Sequence, residues 1–239
     1  VDLATGVTIA LALLAGVLAA ALVVAAPAGG ARECDGLQVC VPVVGPWVVV
    51  SPTGGAARPK MEWQLSCPRR YIVGGTDAEL SIRAIDVGFY GLLGSPVNPG
   101  ITTGRSITFF GSHVGRSSSP ATYKPYIGCM PAAGGGPRIP TAVGAFPPGE
   151  PTTRRVTQAR VRLGLSTYSA RCQAGERLVG SSHAFGFRTR TAPSPSLIGT
   201  VSGTRVAGDG RVVVRVRGDA ELENVRALVQ VHAVCARSS

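Results

Sequence analysis

The sequence predicts an all-β protein: two tandem domains, each a disulfide-closed β-sandwich or barrel-like unit, behind an N-terminal hydrophobic helix. Three observations carry this. Hydrophobicity alternates with period two, as in Val225, Ala227, Val229, Val231, Ala233 and Cys235, with Arg226, Gln230 and His232 on the opposite face. The chain also repeats itself. Displaced by 106 positions, Cys129 falls on Cys235, Ile72-Val73-Gly74 on Leu178-Val179-Gly180, and Gly104-Arg105 on Gly210-Arg211, while Cys67 misses Cys172 by one residue. Finally, the cysteine spans match: 62 residues from Cys67 to Cys129 and 63 from Cys172 to Cys235.

Composition agrees. Among 239 residues there are 32 Gly and 18 Pro, the punctuation of short strands joined by turns. With 45% hydrophobic and 15% charged residues, the chain is too apolar for a disordered one. Its patterning excludes a collagen, a coiled coil and a multi-span membrane protein.

Residues 1–31 read as a signal peptide or membrane anchor. No charge occurs from Leu3 to Ala31, long enough to cross a bilayer as a helix. The small residues around Ala26-Pro27-Ala28 and Gly29-Gly30-Ala31 suit a signal peptidase, and cleavage is the favoured reading. Either way residues 32–239 are exported, to be secreted or held at the outer face of the cytoplasmic membrane, and the membrane is met only through this segment. The first β domain is placed at residues 32–133. Cys34 and Cys40 close a local loop there, and Trp47 and Trp63 lie in apolar, strand-like segments as core anchors. Asn98-Pro99-Gly100 turns the chain into the strand Ser106–Phe110. Residues 134–153, with Gly134-Gly135-Gly136-Pro137 and Pro147-Pro148, form a linker. The second β domain covers 154–239, where Ala207-Gly208-Asp209-Gly210 marks a hairpin leading into Arg211–Arg217.

Six cysteines in an exported chain imply disulfides, and equal spans imply one bridge used twice, Cys67–Cys129 and Cys172–Cys235. No C-x-x-C pair is present, so no metal site is read, and no cofactor motif is found. An immunoglobulin domain is disfavoured: it wants a Tyr two positions before the second Cys, and those positions are Ile127 and Ala233.

The formal charge is +11, carried almost wholly by arginine, since Lys60 and Lys124 are the sole lysines. Most of this is a solvated surface. The candidate polyanion contact is Arg154, Arg155, Arg160 and Arg162, with an anionic envelope polymer or polysaccharide as partner. Nucleic acid is disfavoured by scarce aromatics and the lack of any RNP, zinc-finger or helix-turn-helix pattern.

Catalytic patterns are fragmentary. Ile72-Val73-Gly74-Gly75-Thr76-Asp77-Ala78 resembles the mature N-terminus of trypsin-like proteases, but His113 sits in Gly111-Ser112-His113-Val114 and no Gly-Asp-Ser-Gly-Gly-Pro exists. Gly180-Ser181-Ser182-His183-Ala184 faintly matches a nucleophile elbow without the strand-to-helix setting that it needs. His113, His183 and His232 are read as isolated, on strand surfaces or turns, and Asp219, Glu221 and Glu223 as a solvated acidic run.

The opening Cys67-Pro68-Arg69-Arg70-Tyr71-Ile72-Val73-Gly74-Gly75 and the closing Val234-Cys235-Ala236 resemble uncharacterised exported bacterial proteins. Those proteins have β modules that begin Cys-Pro-x-Gly, continue Val-Gly-Gly and end Val-Cys-Ala. The second copy keeps the glycine of that opening, as Cys172-Gln173-Ala174-Gly175, and replaces its proline. The likeness spans roughly residues 60–239 and implies export and the same cysteine pairing, but no activity.

The expected function is a non-enzymatic cell-envelope or secreted protein with a structural or binding role, and no catalytic residue is assigned. The alternative is a secreted hydrolase using Asp77, Glu79 and Asp86, or a carbohydrate-binding protein, acting on cell-wall or polysaccharide polymer. A sugar-binding surface would display Trp47, Trp63, Tyr123 and Tyr126 rather than bury them.

Overall fold

The period-two segments form thirteen strands in a computed structural model, which describes residues 32–37, 39–52, 59–91, 104–114, 118–132 and 152–238. The leader (1–31), the turn Asn98–Gly100 and nearly all of the expected linker lie outside the described residues; that linker's last two positions, Thr152 and Thr153, begin a strand. No helix among the described residues is long and apolar enough to cross a membrane.

In the first half the strands are β1 (Val41–Val44), β2 (Trp47–Val50), β3 (Met61–Ser66), β4 (Tyr71–Leu80), β5 (Ile85–Tyr90), β6 (Ser106–His113) and β7 (Ala121–Pro131). In the second half they are β8 (Thr152–Arg160), β9 (Gly164–Arg171), β10 (Glu176–Phe187), β11 (Val201–Gly208), β12 (Arg211–Gly218) and β13 (Ala227–Arg237). All pairings are antiparallel. In each half the closing strand is flanked by an early one: β4 pairs one edge of β7, and β10 pairs β13. The opposite edge of β7 carries β1 and β2 in succession, where β13 carries the unbroken β8. A three-stranded sheet covers each group, β3-β6-β5 in the first half and β9-β12-β11 in the second. The fold is thus nearly all β, three antiparallel sheets layered on one another, and no barrel closes among the described residues.

One feature of the halves could not be anticipated. β2 pairs β10 through Val48–Gly186 and Trp47–Phe187, which fuses the two inner sheets into one of seven strands. Residues 32–239 accordingly form one contact unit, with two cores inside it. The first gathers Trp63, Phe109, Tyr123, Val48, Val50, Ile107 and Ile127 around the disulfide Cys67–Cys129. The second is built mostly of valine and alanine (Val212, Val214, Val216, Val229, Val231, Ala233) with Phe187, around Cys172–Cys235. Each of these bridges spans 5.7 or 5.6 Å between Cα atoms. In the chain-entropy account, closing a loop of that length stabilises by about 4 kcal/mol, a large share for cores with so few aromatic rings. Cys34–Cys40 closes the small N-terminal loop.

The duplication runs in a slightly different frame from the one read in the sequence. The register that sets Cys67 on Cys172 continues through β6 and β12. Cys67 N–H bonds Arg105 O as Cys172 N–H bonds Gly210 O, and the turns Tyr71 N–H to Pro68 O and Glu176 N–H to Gln173 O also match. Both copies carry a bulge one residue past the position facing the closing cysteine, after Val73 and after Leu178. The one-residue indel thus falls between the β6/β12 and β7/β13 strands, not beside the first cysteine. The shared turn also explains the glycine of Cys172-Gln173-Ala174-Gly175. Its fourth position is left-handed in both copies, φ 78° at Gly175 and φ 68° at Arg70, a conformation that only glycine adopts without steric penalty.

Candidate functional site

β13 alternates as expected, but its second face is not wet. Leu228, Gln230 and His232 point away from the second core, yet are 2%, 2% and 0% exposed. What covers Gln230 and His232 is β3, the edge strand of the first copy's outer sheet, lying against β10 and β13. An edge strand has unpaired N–H and C=O groups. Here the Gln230 amide satisfies them: its Oε1 accepts from Gln64 N–H (2.7 Å) and its Nε2 donates to Gln64 O (2.9 Å). The same amide donates to Gln158 Oε1 and is met by His232 Nε2 at 2.8 Å.

Two residues along β3, Glu62 forms the charged end of this seam. It takes Arg154 Nη1 at 2.5 Å and the Ser182 hydroxyl at 2.5 Å. Arg154 Nη1 also lies 3.0 Å from His232 Nδ1. A guanidinium only donates, so Nδ1 accepts and the proton sits on Nε2, facing Gln230 Oε1. His232 is thereby held neutral: burial, then the Arg154 charge, push it down to about 4. Burial pushes the Glu62 carboxyl up, but the Arg154 and Ser182 hydrogen bonds outweigh that and hold it below its ordinary value.

The structure therefore corrects the reading of His232 as an isolated surface histidine, because β3 buries it in a cluster with a serine and a carboxylate. That cluster is not wired as a Ser–His pair. A nucleophilic serine needs a base able to take its proton, most often an imidazole, and the Glu62 carboxylate, held below its ordinary value, is a weak one. Here Ser182 gives it to Glu62, and both imidazole nitrogens are occupied by Arg154 and Gln230. His183 offers no substitute. Adjacent strand residues face opposite sides, and His183 packs edge-on against Phe185 at 5.5 Å. Burial and then Arg205 push it to about 4. His113 is also buried, at 1% exposure, inside the first copy. Above the seam opens a cleft of ≈ 620 Å³ lined by Lys60, Glu62, Ser181, Ser182, His183 and Arg205 among others. Its cations are engaged: Lys60 Nζ contacts Tyr90 Oη at 3.1 Å and lies 4.4 Å over the Phe110 ring, and Arg205 donates to Ser181 O.

The four candidate arginines do not share a surface. Arg154 is in the seam. Arg155 points to the other face, where it grips Glu176 through Nε (2.9 Å) and Nη2 (2.5 Å). Arg160 and Arg162 are exposed at the β8–β9 turn, their backbones bridged by the Tyr168 hydroxyl. The three carboxylates of the hydrolase alternative do not converge either. Asp77 and Glu79 are on the outward side of β4, where Asp77 caps Ala78 N–H and Glu79 accepts from Tyr126 Oη; Asp86 is on the outward side of β5, in the opposite sheet. Trp47, Trp63 and Tyr123 are core residues, at most 2% exposed, and Tyr126 is half-buried. Cys172, Cys235 and Glu176 bring ligand-type atoms within 4.8 Å of one another, but the two sulfurs are bonded together and the carboxylate belongs to Arg155. Sequence reasoning missed Glu62, Ser182 and Gln230. The available signal was a Gln and a His at alternate positions of an otherwise apolar closing strand.

Set against known protein families and against characterised proteins, the chain matches none.

Proposed function

We propose that this is an exported protein of the cell envelope or the extracellular space, with a structural and binding role and no catalysis of its own. The observation that carries this reading is the wiring of the seam. Ser182, Glu62, Arg154, His232 and Gln230 spend their hydrogen-bonding capacity on one another and on the β3 edge, leaving no Ser–His pair, and the carboxylate that Ser182 meets is tied to Arg154 and held below its ordinary value. Three disulfides support an oxidising compartment, secreted or at the outer face of the membrane. A second reading, a protein acting on polysaccharide, is favoured by Tyr90 and Phe110. Their rings stack at 4.6 Å on the outward side of the β5–β6 pair, with Tyr90 42% exposed.

The test pairs binding with turnover. Residues 32–239 are assayed against peptidoglycan, neutral polysaccharide and anionic polymers, with a salt titration and with product analysis. Retention of a polymer without its cleavage is expected. Cleavage that is lost in Ser182→Ala or Glu62→Gln would overturn the non-enzymatic reading, and saturable binding to neutral glucan lost in Tyr90→Ala would favour the second.

A further inference from the structure

The duplication provides an internal control, because two copies of one scaffold show which side chains the fold itself requires. At the open end of the first sandwich, next to Cys67–Cys129, Val43 and Tyr71 pack on the core, and Ser66 faces Ser106 with their hydroxyls 2.7 Å apart. The same register positions in the second copy hold Arg155, Glu176, Arg171 and Arg211. Arg171 stands directly opposite Arg211 across β9 and β12. Like charges in that position destabilise a sheet, and the first copy shows that a neutral pair serves. Of the carboxylates at this end, Glu176 is committed to Arg155, and Asp209 lies in the hairpin turn just before Arg211. Among the described residues neither Arg171 nor Arg211 is ion-paired; Arg211 Nη2 donates only to Ser169 Oγ, at 3.0 Å.

These arginines surround a groove. A hollow of ≈ 390 Å³ is lined by Arg155, Thr157, Ser169, Arg171 and Arg211, and a second of ≈ 480 Å³ continues it past Arg155 and Arg171 to Gln173. From Arg211 the outward row of β12 runs on through Arg215 and Arg217, all exposed, about 20 Å at strand rise. Ser106, Phe110 and Ser112 occupy the matching places on β6, so the row of cations belongs to the second copy alone.

We propose that this end of the second sandwich binds an oxyanion group of an acidic polymer between Arg171 and Arg211, beside the Arg155–Glu176 pair, and that the polymer continues along β12 over Arg215 towards Arg217, which meets Asp219 at 3.5 Å in the exposed surface. This rests on the binding role proposed above and names its ligand class: a linear polymer bearing phosphate, sulfate or carboxylate. Guanidinium pairs suit such groups because their parallel N–H donors match two oxygens at once.

The experiment measures binding of residues 32–239 to poly(glycerol phosphate), to a polyuronate and to a sulfated polysaccharide, with inorganic phosphate as competitor. The double variant Arg171→Ser with Arg211→Ser installs the first copy's neutral pair, and Arg69→Ser with Arg83→Ser removes equal charge from the first copy. For the polymer bound best, the 171/211 variant is expected to bind at least tenfold more weakly. Its unfolding midpoint should be equal to or above the parent's, a gain that a structural role for the arginines would not produce. The 69/83 variant should stay within twofold, and affinity should fall as salt rises. Undiminished binding by the 171/211 variant, or the same loss in the 69/83 variant, overturns the site while leaving a binding role in place. Failure of the parent protein to bind any of the three polymers overturns the site, and failure on peptidoglycan and neutral polysaccharide as well overturns the binding role.

Discussion

Replacing Gln230 by alanine tests whether the seam holds the copies together. The substitution removes four hydrogen-bonded contacts at once, to Gln64 N–H, Gln64 O, Gln158 Oε1 and His232 Nε2. Gln158 is exposed and turns to water at little cost. His232, 0% exposed, cannot, and the half-buried Gln64 groups can only in part, since among the described residues β3 has no other strand on that edge. An unmet buried polar group costs about 1–3 kcal/mol. Taking the low end for the two Gln64 groups, which water can partly reach, and the middle for His232, the sum is about 4 kcal/mol. Against a total of about 5–15 kcal/mol, that is a severe loss. Chemical denaturation of the parent, Gln230→Ala and Gln158→Ala measures it, with amide exchange at Gln64 as the local readout. Gln158→Ala should cost less than about 1 kcal/mol and leave Gln64 protected, whereas Gln230→Ala should expose it. If Gln230→Ala costs no more than Gln158→Ala, the Gln230 amide does not hold β3 in place, and the Glu62 contacts and the β2–β10 pairing join the halves without it.

Three further outcomes follow from the same geometry. Arg70→Gly should raise stability by about 0.5–1 kcal/mol, because the left-handed backbone at φ 68° penalises a side chain by more than glycine's extra freedom costs; a lower melting temperature would contradict this. Stability should be flat between about pH 7 and 9 and fall as pH drops from about 6.5 to 4. His183 and His232 are neutral in the fold, at about 4 against an ordinary 6.5, so the unfolded chain binds more protons in that window, to a limit of about 3 kcal/mol per histidine. Urea midpoints at pH 7.5, 5.5 and 4.5 check the sign, and a rise on acidification would refute it. Gly128→Ala should release the Cys34–Cys40 loop without unfolding the sandwiches, since a Cβ there would collide with the Glu33 carbonyl oxygen. Protease cutting confined to residues 32–40 is the expected result, and unchanged resistance there would count against it.

What one dimension can carry, the sequence carried. Strand periodicity is local, so the inward set Val229, Val231, Ala233 and Cys235 could be read directly, and covalent spacing paired Cys67 with Cys129 and Cys172 with Cys235. The matching turns and cysteine positions of the two halves were also legible, although their frame was not: a one-residue indel leaves no trace until hydrogen bonds show which residues face each other. Tertiary structure alone decided that β2 meets β10, and with it everything built at that joint. Gln230 and His232 occupy outward positions, and only another strand's edge lying over them turns outward into buried, and a surface histidine into a neutral, fully bonded one. The arginines followed the same rule. Arg154 and Arg155 are neighbours in the chain but lie on opposite faces of a sheet, whereas Arg171 and Arg211 are forty residues apart and side by side. Alternation assigns a side chain to a face, but the partners of that face depend on strand order and register, which pairwise contacts across the whole chain decide.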